Sequence, residues 1–189
     1  EPDISDTVIE AAGAALDRGE THYTDRPGIP ELRTIVAEQL NSRYGLALDP
    51  AAVTITCGST EARFCAVQVL ASRQTLICPG DAEPVAALAA LHDVPLVTAD
   101  APAGSVLYLT PADDYEVLTA QAAQNGWWVI WDVSGMTAPD FHPAQQAELA
   151  GRVVTIDDLE GQMPGWRIGW MAGSEKWSAL RGAKQALTI

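Results

Sequence analysis

Apolar positions along this chain change period repeatedly, from helical spacings to short unbroken runs. Val8, Ile9, Ala12 and Leu16 recur at spacings of three and four within residues 5–18, and Gly19 stops that segment. Pro30 suits the first turn of a second helix, with Leu32, Ile35, Val36 and Leu40 on one face and Gly45 at its end. The run 53–57 is short and β-branched, hence a strand, and Gly58-Ser59-Thr60 opens a helix predicted to reach Ala71. Further strands are predicted at 75–78, 94–98, 106–110, 127–131, 152–156 and 168–172, with helices at 82–91, 115–124, 144–150 and 174–186. Strands alternating with helices at this interval predict an α/β fold: a three-layer α/β/α arrangement around a mostly parallel, seven-stranded sheet. The stretch 157–167 between the last two strands has no helical pattern. A parallel crossover needs about a dozen residues or more, usually with a helix, so one strand is predicted to be antiparallel.

Composition narrows the class. The 189 residues suffice for one domain with a substantial core, and 48% hydrophobic against 19% charged residues excludes whole-chain disorder. A formal net charge of −14 argues against nucleic acid and anionic membrane surfaces as partners. No apolar run has transmembrane length. Cys57, Cys65 and Cys78 all lie in apolar runs and are expected to be buried thiols of a reducing, cytoplasmic setting. His22, His92 and His142 are scattered, with no spacing that suits a metal, and none is expected.

Candidate chemistry concentrates in three places. Pro164-Gly165 is strong turn chemistry and delivers Arg167, between Trp166 and Ile168, to the start of an apolar strand. Its rigid fork of donors suits a phosphate or carboxylate. Gly58-Ser59-Thr60, a turn from strand into helix, makes a ready anion site, although a hydroxyl there also serves as a plain helix cap. Asp132 ends the apolar run 127–131 at the carboxyl edge of the sheet, where open α/β sheets bind ligands; a capping aspartate is the alternative. A dinucleotide-binding domain is a weaker reading, since Gly58-Ser59-Thr60 lacks the Gly-x-Gly-x-x-Gly pattern.

The stretch Gly165-Trp166-Arg167-Ile168-Gly169 resembles the signature of fold-type I, pyridoxal-phosphate (PLP) dependent aminotransferases of class I/II, and the resemblance extends over nearly the whole chain. It implies a PLP-binding large domain over residues 1–189, without the family's C-terminal small domain. It implies roles too: Arg167 and the Gly58-Ser59-Thr60 turn for the cofactor phosphate, and Asp132 for the pyridine nitrogen. Tyr23, within Gly19-Glu20-Thr21-His22-Tyr23, matches the tyrosine that reaches the cofactor of the neighbouring subunit; a tyrosine packing its own loop is the alternative. A homodimer is implied as well.

The same resemblance exposes departures. The lysine that forms the Schiff base precedes the signature's first glycine by six residues, inside a Ser-x-Ser-Lys segment; here that position is Leu159, in Thr155-Ile156-Asp157-Asp158-Leu159. The family's Asp-x-Ala-Tyr reads Asp132-Val133-Ser134-Gly135, an asparagine that donates to the cofactor is replaced by Asp113, and Glu83 stands where a stacking aromatic is common. The two lysines, Lys176 and Lys184, fall in the last helix and read as part of a solvated face. The expectation is an aminotransferase-like chain impaired in catalysis. The alternative is a non-catalytic dimeric binding or scaffolding module that keeps a phosphate- or PLP-like site, with any PLP held non-covalently.

Overall fold

The computed structural model describes residues 4–187. Both ends of the 1–189 domain lie outside that range. One sheet is built from β1 (Val53–Cys57), β2 (Leu76–Ile77), β3 (Leu96–Val97), β4 (Val106–Leu109), β5 (Trp128–Asp132), β6 (Val153–Asp158) and β7 (Ile168–Ala172), in the order β1-β7-β6-β5-β4-β2-β3. Among these strands only β7 is reversed: it pairs antiparallel with β1 and with β6, and the remaining neighbours are parallel. The short link before it could not have crossed the sheet to make a parallel pair.

The helices are α1 (Asp6–Asp17), α2 (Pro30–Tyr44), α3 (Gly58–Ala66), α4 (Glu83–Leu91), α5 (Tyr115–Asn125) and α6 (Trp177–Leu187), of which α2 to α6 contribute residues to the core. Alternation along β4 and β5 divides the core between the two faces. Val106, Tyr108 and Ile130 join a cluster with Ala62, Cys65 and Leu180 of α3 and α6. Leu107, Leu109, Val129 and Trp131 join another, with Ala122 of α5 and Leu149. A third cluster packs Val36, Ala37, Leu40 and Tyr44 of α2 against Val53, Trp170 and Ala172 of β1 and β7. Strands covered on both faces have to be apolar throughout, which is why β4 and β5 read as unbroken runs.

Several sequence expectations are corrected. The helix expected over 144–150 is two 3₁₀ turns, Pro143–Gln145 and Ala147–Leu149, because Gln146 between them is extended at ψ 124°. The helix from Gly58 is α-helical to Ala66 and continues to Ala71 as a π-helical turn. Cys65 and Cys78 are buried, and burial pushes their thiols up to about 12 and about 11, but Cys57 is exposed at the end of the edge strand β1. The apolar face of α1 covers nothing: the helix buries no residue, with Ile9 55% and Leu16 65% exposed. No helix among the described residues is long and apolar enough to cross a membrane.

His142 fixes the segment after β5 to the sheet. Its Nε2 lies 2.8 Å from Thr155 Oγ1 on β6, and its Nδ1 accepts from the Ala144 N–H, so Nε2 carries the proton. Burial holds this imidazole neutral and lowers its pKa to about 4. An unfolded histidine takes up its proton near pH 6.5, so the stability this group contributes is complete above about pH 6.5 and is lost as pH falls toward 4. Asp157 works in the opposite direction: burial raises its carboxyl to about 6, so its proton favours the folded state below that pH. The wild-type slope mixes the two signs, and a variant isolates one. His142→Gln is expected to be destabilised at neutral pH and to lose less stability than wild type between about pH 7 and about pH 5, read from urea midpoints at each pH. Parallel curves for the two proteins would contradict this.

Candidate functional site

Because only β7 is reversed, the carboxyl ends of β1, β4, β5 and β6 meet the start of β7 at one edge of the sheet. That edge therefore collects Gly58, Thr110, Asp132, Asp158 and Arg167. The turn after β1 is tight. Gly58 has φ +72°, Thr56 Oγ1 donates to its carbonyl at 2.8 Å, and Cys57 N–H donates to Glu61 Oε2 at 2.7 Å. Gly169 of β7 packs directly on this turn: a Cβ there would stand 2.5 Å from the Gly58 carbonyl carbon. Arg167 sits in the left-handed region at φ +58°, and its guanidinium carbon lies 3.6 Å from where a side chain on Gly58 would begin. Gly58, Ser59 and Arg167 are thus brought together, while Thr60 is exposed on the first turn of α3.

The turn already holds an anion of the chain's own. Ser59 Oγ donates to Asp158 Oδ2 at 2.6 Å, and Asp158 Oδ1 accepts from the Glu160 N–H. Asp158 ends β6 and stands where the resemblance places the second serine of the Ser-x-Ser-Lys segment. Next to it, Leu159 is half-buried, and its N–H donates to the Ile168 carbonyl at 2.9 Å. This bond extends the β6–β7 ladder, in which Asp158 faces Gly169, and fixes the register of Leu159, where the resemblance places the lysine.

Asp132 is 2% exposed and surrounded by donors. Its Oδ2 accepts from Arg63 Nε at 2.5 Å and from the Tyr108 hydroxyl at 2.6 Å. Its Oδ1 accepts from the Ser134 N–H at 3.1 Å and from Ser134 Oγ at 2.6 Å. A carboxylate offers about four lone-pair directions, and all are taken. Burial, and then Asp132 itself, hold the Tyr108 phenol far above its ordinary range, so it remains a donor. Arg63 Nη2 also reaches Ser134 Oγ, closing the network. Sequence reasoning missed Arg63, Tyr108, Ser134 and Asp158. The available signals were an arginine beside the apolar helix residues Ala62 and Cys65, and a hydroxyl inside an otherwise aliphatic strand.

Elsewhere on this edge, Asp113 Oδ2 accepts from the N–H and hydroxyl of Thr110, both at 2.8 Å, and its other oxygen lies against Gly80. Gly135 has φ +70° and open space for 4 Å around the place a Cβ would take, and Glu83 is exposed on the first turn of α4. Tyr23 is 92% exposed and borders a cleft of about 450 Å³ with Arg26, Arg167 and Lys184. Lys184, half-buried on α6, lines the same cleft as Arg167. Lys176 lies at the opposite edge, its Nζ 4.9 Å above the Trp128 ring at the start of β5. A larger cavity of about 740 Å³ also opens at that opposite edge, beside Leu46, His142 and Trp177, and is lined by none of Gly58, Asp132, Asp158 or Arg167.

Strand order and the single reversed strand give an α/β fold of the PLP-dependent transferase type. The fold matches MJ0684 from Methanococcus jannaschii with a TM-score of 0.86 and 20% identity, over 100% of this chain and 58% of that one. N-Succinyldiaminopimelate aminotransferase from Mycobacterium tuberculosis matches with 0.84 and 21%, over 100% and 59%. Residues 2–81 match the family described as aminotransferase class I and II. A probable aspartate aminotransferase from Methanocaldococcus jannaschii is 41% identical over 75 residues, 39% of this chain and 20% of that protein. Valine–pyruvate aminotransferase from Mycobacterium tuberculosis is 27% identical over 215 aligned positions, 96% of this chain and 55% of that one. The N-terminal part of the chain thus matches the aminotransferase class I and II family, and the whole chain shares the fold of these enzymes. The chain spans about half the length, or less, of these relatives.

The contact between Gly169 and Gly58 places Arg167 against the turn, so it can be tested directly. Gly169→Ala forces backbone apart and is expected to lower stability by about 1–3 kcal/mol, the range for overpacking. Gly161→Ala, with nothing within 4 Å of the added carbon, is the control and is expected to leave the urea midpoint unchanged. Equal midpoints for the two variants would mean that the strand and the turn are not in tight contact.

Proposed function

We propose that this chain is a non-catalytic member of its family, a binding or scaffolding module that does not carry out amino-group transfer. The observation that supports this most directly is Leu159. Its backbone is locked into the β6–β7 ladder at the position where the resemblance expects the amine, and an aliphatic side chain cannot form an imine. PLP supplies an electron sink when bound, and it needs an amine to hold it and an acid on its ring nitrogen. The residues present do not fit that requirement. Besides Leu159, Asp132 has no acceptor direction left, Gly135 offers no hydroxyl, and Asp113 is an acceptor already engaged by Thr110.

What the edge retains is a cleft of net positive lining. Arg26, Arg167 and Lys184 border it against the single carboxylate of Asp25, in a chain of net charge −14, and this balance favours a small anion over a covalently held cofactor. A homodimer is also part of the proposal. Ile9, Leu16, Tyr23, Ile29 and Ile35 are large, apolar or aromatic, and exposed along α1, α2 and the loop between them, and a second copy would cover them.

Incubation with PLP followed by borohydride is expected to add no cofactor mass to the protein. A covalent adduct on Lys176 or Lys184, found by peptide mass mapping, would overturn the non-catalytic proposal. Leu16→Asp is expected to shift the molecule from dimer to monomer in sedimentation velocity, and a monomeric wild type would remove the dimer from the proposal.

A further inference from the structure

Both ends of the site that the family resemblance assigns to PLP carry a charged side chain of this chain. At one end, the Arg63 guanidinium binds the buried Asp132 carboxylate, where the resemblance places a ring cation. Tyr108 and Ser134 take the remaining acceptor directions. At the other end, the Asp158 carboxylate binds Ser59 Oγ at the Gly58 turn, where the resemblance places a phosphate. The signs correspond: a cation lies on Asp132 and an anion lies on the turn.

We propose that Arg63 and Asp158 are internal counter-ions that replace the two charged ends of the cofactor and close the site to it. The proposal rests on the family reading of Asp132 and of the turn, and it goes further by naming the two side chains that exclude the ligand. A buried carboxylate without a partner is strongly unfavourable, so a chain without ligand must satisfy Asp132 internally. Arg63 does so from α3, one helical turn beyond Ser59, so a single short helix contributes to both ends. A ring nitrogen approaching Asp132 would have to displace Arg63 or Tyr108 and leave a buried donor unpaired. A phosphate approaching Ser59 would meet the like charge of Asp158 and lose the hydroxyl that Asp158 now holds. Arg167 still faces the neighbouring cleft, so anion binding at Arg167 and exclusion from the turn can coexist.

The test is a gain of binding, which a purely structural role would not produce. Wild type, Asp158→Ser, Arg63→Leu and the double variant are titrated with PLP and with inorganic phosphate by calorimetry, with Leu159 kept in all. Asp158→Ser is expected to bind both probes about tenfold more tightly than wild type, the effect of relieving one close like-charge contact. Adding Arg63→Leu is expected to tighten PLP further and leave phosphate unchanged, because only PLP carries the ring nitrogen. Circular dichroism and urea unfolding check that each variant folds. If Arg63→Leu fails to fold, Asp158→Ser alone decides the outcome. Affinities for both probes that are the same in Asp158→Ser and wild type would overturn the proposal. Tight wild-type binding without a covalent adduct would overturn it too, while leaving the non-catalytic proposal intact; a borohydride-trapped adduct would instead overturn that one.

Discussion

Strand β7 enters the sheet antiparallel between β1 and β6, and its first residues therefore lie beside the carboxyl ends of its neighbours. This reversal, enforced by a short connection, converts a turn at Pro164-Gly165 into one wall of a site. Gly169 then presses on Gly58 without side chains between them, so the turn after β1 and the arginine before β7 share one location. Neither group could be placed there by its own segment. A parallel β7 would carry Arg167 to the opposite edge, where the structure keeps Lys176 and the larger cavity. The chemistry available to this chain is limited first by that topology and only then by residue identity.

Burial sets the second constraint. Asp132 is the last residue of a strand covered on both faces, so its carboxylate enters a poorly solvated layer. A carboxylate there persists only with a full complement of donors. Arg63, Tyr108 and Ser134 supply them, and the network is closed, since Arg63 also binds Ser134. A closed network of this kind stabilises one arrangement and resists exchange with a ligand, because every displaced donor is itself buried or partly buried.

Much of this was legible in the sequence, for reasons that can be stated residue by residue. The runs 53–57 and 168–172 were read at their observed boundaries, because β-branched and apolar residues bounded by glycine leave little freedom. The one reversed strand followed from the length of chain available. Arg167 and the Gly58 turn were paired by their chemistry and do meet. What escaped depends on tertiary placement. Arg63 looked like any helix arginine, because periodicity says which residues share a face and not which carboxylate that face will meet. Lys184 was assigned to solvent for the same reason, since the direction α6 presents to the cleft is decided by its packing on α3 and β1. The stretch 144–150 read as a helix from its alanines and glutamines, yet His142, Pro143 and an extended Gln146 broke it into two turns. Asp158 was visible only as part of a segment that departs from a motif, and its bond to Ser59 depends on tertiary placement.

On the proposal made above, the absence of an amine and the presence of two internal counter-ions are linked physically. A site that recruits a charged cofactor can leave complementary charges unpaired within the protein, because the ligand pairs them. Once the covalent anchor is gone, occupancy falls and those charges face water or each other for most of the time. Filling each with a side chain of opposite sign restores stability that ligand binding had contributed. In this chain the cation lies on α3 next to the core and the anion at the end of β6, and the sheet is intact around both. On the proposal made above, the side chains that exclude the ligand are thus compatible with the fold that would have held it. The part of the edge still open, the cleft between Arg26, Arg167 and Lys184, is the part those substitutions did not reach.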